Sequence, residues 1–166
     1  TEIVRCTERL VAASALFQLG ELKSQTMCQH KTVGPPLRTF VFDQTPGRRM
    51  MRYISTRRYA AEIMRQYAAA TVKAIESVRA DYPGLGLHNR VAIVTPDVAY
   101  AEQMRAALSP RLDASMQLVD ATRASSLLIG GESVNGKQWL VCDAMENFDG
   151  LERLIVICVG LDAPVD

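Results

Sequence analysis

The sequence predicts an α/β fold around a mostly parallel sheet. Three observations predict it. Residues 90–95 (RVAIVT), 138–142 (QWLVC) and 153–159 (RLIVICV) are short, nearly continuous apolar runs, as expected of strands buried on both faces. Segments of helical period alternate with them, which is the order of a layered α/β sandwich. The one stretch that imitates a phosphate-binding loop has the wrong surroundings to be one.

Taken in order, residues 7–19 place Leu10, Val11, Ala13, Ser14, Phe17 and Gln18 at helical spacing, with Thr7 as N-cap and Gly20 as stop. Residues 21–36 are polar, end in Gly34-Pro35-Pro36, and read as a connector. Residues 37–43 (LRTFVFD) alternate and are β-rich, which predicts a strand, and residues 44–47 a turn. Residues 56–81 are rich in Ala, Arg, Glu and Met and predict one long helix. Tyr82-Pro83-Gly84 ends it. After the 90–95 strand, Pro96-Asp97 opens a helix through Leu108, and residues 117–119 form a further short strand. Residues 126–129 and 138–142 flank a Gly-rich turn, and 153–159 form a strong buried strand.

The bulk numbers suit one domain: 166 residues, 48% hydrophobic and 22% charged, with a net charge of +1 that favours no partner class. No apolar run approaches the roughly 18 residues that a membrane crossing needs, so no membrane partner is expected. The chain starts without Met and stops soon after an apolar strand, so it reads as a piece of something longer. Arg48, Arg49, Arg52, Arg57, Arg58 and Arg65 lie within 18 residues and read as a solvated loop and helix face. Cys142 and Cys158 sit in apolar runs, as buried thiols do. Cys28 and His30 lack two further ligands at metal spacing, so no metal site is expected. With no CxxC pair, the cysteines fit a reducing, intracellular location, cytoplasmic or nuclear.

Gly131 to Lys137 matches the first seven positions of GxxxxGK[ST], but Gln138 follows, with no hydroxyl for magnesium. The motif also needs a helix immediately after it, whose N-terminus holds phosphate. Here a strand follows, so Asn135-Gly136 reads as a turn between two strands, and the chain lacks a Walker A loop of its own.

Two distant segments carry a family resemblance. Residues 2–17 (EIVRCTERLVAASALF) resemble motif IV of UvrD-like superfamily 1 helicases, where "NYRS" precedes a helix; Arg5 aligns with the motif arginine and Cys6 with its serine. Residues 139–161 look like motif V, an apolar strand, "T-x-H-x-x-K-G-L-E" and a second apolar strand. Gly150, Leu151 and Glu152 match it directly. Between them, residues 90–108 resemble the family's "DIAVLVRTN" unit, which puts Thr95 beside the nucleic acid. "ENFDGLERLIVI" is closest to the helicase-like region of Schlafen proteins.

The resemblance implies a second RecA-like domain, a P-loop NTPase-type three-layer sandwich over residues 1–166, ending before motif VI. It implies Arg5 as the catalytic trigger on the γ-phosphate, a role suited to a permanently charged fork of donors. Gly150, Leu151 and Glu152 would lie near ATP; Thr95, Glu146 and Asn147 would face DNA or RNA. ATP and Mg2+ would be held mainly by a preceding RecA-like domain of the same chain. The departures are Val4 for the adenine-stacking Tyr, Ala144 for Thr, Glu146 for His and Asp149 for Lys. Two acidic side chains would repel nucleic-acid phosphates, which favours the alternative of a non-catalytic nucleic-acid or protein-binding module on a degenerate helicase scaffold. An unrelated Rossmann-like domain is disfavoured because no GxGxxG follows a strand.

Overall fold

The structure is a computed structural model that describes residues 2–3, 9, 12, 27–28, 32–42, 56–130, 136–148 and 153–161. The chain divides into two compact units, 1–39 and 40–166.

In the first unit, β1 (Glu2–Ile3) pairs in parallel with β2 (Met27–Cys28), Glu2 opposite Met27 and Ile3 opposite Cys28. The stretch expected to be a bare connector therefore contributes a strand. Arg9 is helical, and its guanidinium donates to the Gly34 carbonyl at 3.2 Å. The rest of the expected helix at 7–19, Ala12 apart, lies outside the described residues.

The second unit is an α/β sandwich. Helix α1 (Thr56–Asp81) has the bounds that its composition predicts. It buries Met64, Ala68, Thr71 and Ile75, spaced three to four residues apart as one helical stripe requires. At its end the Tyr82 N–H still reaches the Val78 carbonyl at 3.0 Å, and Pro83-Gly84 then turns the chain away. Four strands follow, β3 (Val91–Thr95), β4 (Met116–Val119), β5 (Gln138–Ala144) and β6 (Ile155–Cys158). They form one sheet in the order β4-β5-β3-β6, and every pair is parallel. Between them lie α2 (Val98–Leu108) and α3 (Ala121–Gly130).

The layers follow from the order. From β3 to β4 the chain moves one way across the sheet; from β4 to β5 it moves back. Right-handed crossovers in opposite directions place their helices on opposite faces. The packing agrees. Met104 and Leu108 of α2 join Ile93, Leu140 and α1 in one core, whereas Ala124 of α3 joins Val119, Trp139 and Val141 in another. Helices thus flank a parallel sheet on both faces, compatible with a RecA-like three-layer sandwich. No described helix is long and apolar enough to cross a membrane.

Four local expectations are corrected. Residues 37–42 form no strand, and Leu37, Phe40 and Val41 are exposed. Alternation suits a pleated surface, but without a neighbour to bond to it makes no ladder. Residues 126–129 belong to α3, so the Gly-rich turn joins a helix to a strand, not two strands. That order, helix before and strand after, is the reverse of a phosphate loop, and Gly136 adopts a left-handed φ of 68° as a turn residue. Strand β6 sits at the edge and is not buried on both faces: Ile155 and Ile157 face the core while Val156 and Cys158 are exposed. Cys158 is accordingly an exposed thiol.

Candidate functional site at the carboxyl edge of the sheet

Because all four strands are parallel, their carboxyl ends share one edge. Open α/β sheets bind ligands outside that edge, where neighbouring strands send their connections to opposite faces. Strands β3 and β5 meet this condition. The connection from β3 enters α2 on one face, while the one from β5 runs into the 3-10 turn Met145–Phe148, whose Phe148 packs with the α3 cluster on the other. The strand ends Thr95–Asp97 and Ala144–Asn147 meet at this switch point.

Thr95 ends β3 fully buried. Its hydroxyl donates to the Asp143 carbonyl at 3.0 Å and lies 3.3 Å from the Asp97 carbonyl, bracing the two strand ends from inside. Asp97 caps α2, accepting the Tyr100 N–H at 2.7 Å. Asp120 caps α3 through the Arg123 N–H, also at 2.7 Å. Glu146 and Asn147 are exposed on the 3-10 turn. The edge therefore brings together Thr95, Glu146 and Asn147. Arg5, Gly150, Leu151 and Glu152 lie outside the described residues.

Asp143 organises this edge and was not singled out from the sequence. It is a carboxylate inside the apolar run WLVCDA, and that was the available signal, because a buried charge must find partners. Its Oδ2 accepts the Ala121 N–H at 2.9 Å. Its Oδ1 accepts the Ala144 N–H at 2.8 Å and the Asn147 side-chain amide at 2.9 Å, with the Arg105 guanidinium 3.9 Å away. Arg105 itself donates to the Cys142 carbonyl at 2.7 Å. Burial pushes the Asp143 carboxyl upward, but the bonds from Ala121, Asn147 and Ala144, with the Arg105 charge, outweigh it and hold its pKa below the usual value.

Helix α3 was also missed, although Asp120 followed by Ala121, Ala124 and Leu127 at helical spacing is a start signal with an apolar stripe. After β6 the Val159 N–H bonds the Val94 carbonyl at 2.9 Å, and Gly160 follows at φ 72°. A Cβ there would come within 2.5 Å of the Tyr100 ring, so only glycine lets the chain pass Tyr100 so closely.

Electrostatically the described edge does not cradle phosphate by itself. Helix N-termini attract anions, but those of α2 and α3 are taken by Asp97, Asp120 and Asp143. Among the described residues no three His, Cys, Asp or Glu side chains gather as a metal site. In α1, Arg58 and Arg65 are exposed, with Arg65 paired to Glu62 at 2.6 Å; Arg48, Arg49 and Arg52 and the side chain of Arg57 lie outside the described residues. An open groove of about 380 Å³ lies at the other end of the sheet, where β5 begins, lined by residues that include Arg79, Tyr82, Leu87 and Gln138. Neither Thr95, Glu146 nor Asn147 lines it. Comparison with protein-family models, curated proteins and solved structures finds no match for this chain.

Proposed function

We propose that this chain is the second RecA-like half of an ATP-dependent nucleic-acid helicase or translocase. The carrying observation is the switch point between the ends of β3 and β5, where the exposed Glu146–Asn147 turn leads in sequence into Gly150, Leu151 and Glu152. The motif resemblances at both ends of the chain assign complementary chemistry. Arg5 acts as trigger, placing a fixed positive charge against the phosphoryl group in transfer. Gly150 to Glu152 sense the nucleotide, while Glu146 and Asn147 face the DNA or RNA strand and Thr95 holds their edge in place.

The carboxylate-capped helices support a division of labour in which a preceding RecA-like domain holds ATP and Mg2+ and supplies the phosphate loop and the water-activating base. When bound, the nucleotide supplies the energy of phosphoryl transfer. Cleft closure and reopening then move this half along the strand. Arg5→Ala in the full-length parent is expected to cut ATPase turnover about 10³-fold or more while nucleotide binding, read by a fluorescent ATP analogue, persists. Unchanged turnover would overturn the trigger role.

A second reading is a non-catalytic nucleic-acid or protein-binding module on a degenerate helicase scaffold. The acidic edge of Asp97, Asp120 and Glu146 favours it, because like charge repels phosphate. Strand-stimulated ATP hydrolysis by the full-length parent separates the two: the first reading requires it and the second forbids it.

A further inference from the structure

We infer that Asp143 is a positioning residue that couples the Glu146–Asn147 turn to the N-terminus of α3, so that occupancy at the turn is transmitted to the first turn of that helix. This deepens the nucleic-acid reading and rests on it for the identity of the ligand. The juxtaposition carries the inference. Asn147 is exposed, and its amide reaches Oδ1 of Asp143 at 2.9 Å. The other oxygen of the same carboxylate takes the first N–H of α3, Ala121, also at 2.9 Å. The turn lies directly after β5 and α3 directly before it in the strand order of the chain, and no hydrogen bond of the described residues runs from the Asn147 side chain to α3 itself.

The carboxylate is well placed to transmit. It is buried, so water does not replace a lost partner at low cost. It is also pinned from behind, because the Thr95 hydroxyl holds its carbonyl and Arg105 holds the carbonyl of the preceding Cys142. A ligand that draws the Asn147 amide away from Oδ1 weakens one bond of a shared group and redistributes the charge onto Ala144 and Ala121. A ligand that presses Asn147 inward does the reverse. The alternative role, a cap serving α3 alone, needs only Oδ2 and leaves the Asn147 bond without consequence for the helix.

Hydrogen exchange read peptide by peptide on the full-length parent tests this, with and without a 20-nucleotide single-stranded oligonucleotide. Binding is expected to slow exchange at 144–148 and at 121–124 together. In Asp143→Asn the oligonucleotide should slow 144–148 only. Protection of 121–124 to the same extent in both proteins, or in neither while 144–148 is protected, would overturn the coupling. Should the oligonucleotide protect nothing, the nucleic-acid reading falls, and the ligand-free protein still decides the role of Asp143. There Asn147→Ala, an exposed substitution that spares the core, is expected to speed exchange at 121–124 about fivefold, the loss of one hydrogen bond. Unchanged exchange at 121–124 in Asn147→Ala would overturn the inference.

Discussion

Strands β5 and β6 read alike in sequence and live differently in the fold. QWLVCDA and IVIC are both apolar runs, and each ends near a cysteine. Yet β5 has a partner on either side and is buried from Trp139 to Ala144, whereas β6, among the described residues, pairs only with β3 and exposes Val156 at 57%. Hydropathy reports that a strand will seek a sheet. It does not report whether a second neighbour and a second layer will cover it. The difference assigns the two strands different work: β5 carries the core and the Asp143 network, and β6 closes one side while its outer face stays open.

The largest expected effect sits in β5. Leu140→Ala empties a fully buried position and should cost about 2–5 kcal/mol in urea unfolding. Val156→Thr in β6 should stay within about 0.5 kcal/mol; equal losses at the two positions would erase the distinction between the strands. Next comes Asp143→Asn, expected to cost about 1–3 kcal/mol at pH 7 through its weakened network. Its folded pKa lies below the unfolded value, so its contribution is present above about pH 4 and is lost as the pH falls through the folded pKa. The gap between wild type and Asp143→Asn should therefore close in acid, and a gap that persists at pH 2 would argue for packing instead of charge.

The smallest effects concern the thiols. Burial pushes Cys142 up to about 12, with the Arg105 charge opposing and the Asp143 charge assisting. A pKa raised on folding stabilises fully below the unfolded value and is lost as the pH rises toward the folded one, so Cys142 should add an alkaline decline between about pH 8.5 and 12. Cys142→Ala should flatten that decline. Burial also raises Cys158, although its strand face is open, because the apolar sheet around it disfavours a thiolate. Access should decide the order of labelling: iodoacetamide at pH 8, read by peptide mass spectrometry, should modify Cys158 well before Cys142. The reverse order would place β6 inside.

Local chemistry was legible where one segment decides its own state. Helix α1 follows from composition and the Tyr82-Pro83-Gly84 stop, and α2 from the Asp97 cap. The strand expected at residues 37–43 failed, and the pairing of β1 with β2 was missed, for the same reason: a ladder needs a partner that the segment itself does not name. At the site, Glu146 and Asn147 came only from the motif V resemblance, and the 3-10 turn that carries them was not read from the sequence. The buried use of the Thr95 hydroxyl was not, because its acceptor is 48 residues away.

By itself the sequence determined the class of fold, the alternation of helices and strands, and the strand that directly follows Lys137, since each rests on periodicity and turn chemistry within a few residues. Only the tertiary structure decided the strand order, which strand became the edge, and that the β3 and β5 connections part to opposite faces around Asp143. Those depend on which distant segments share a surface, and a parallel sheet draws its neighbours from far along the chain.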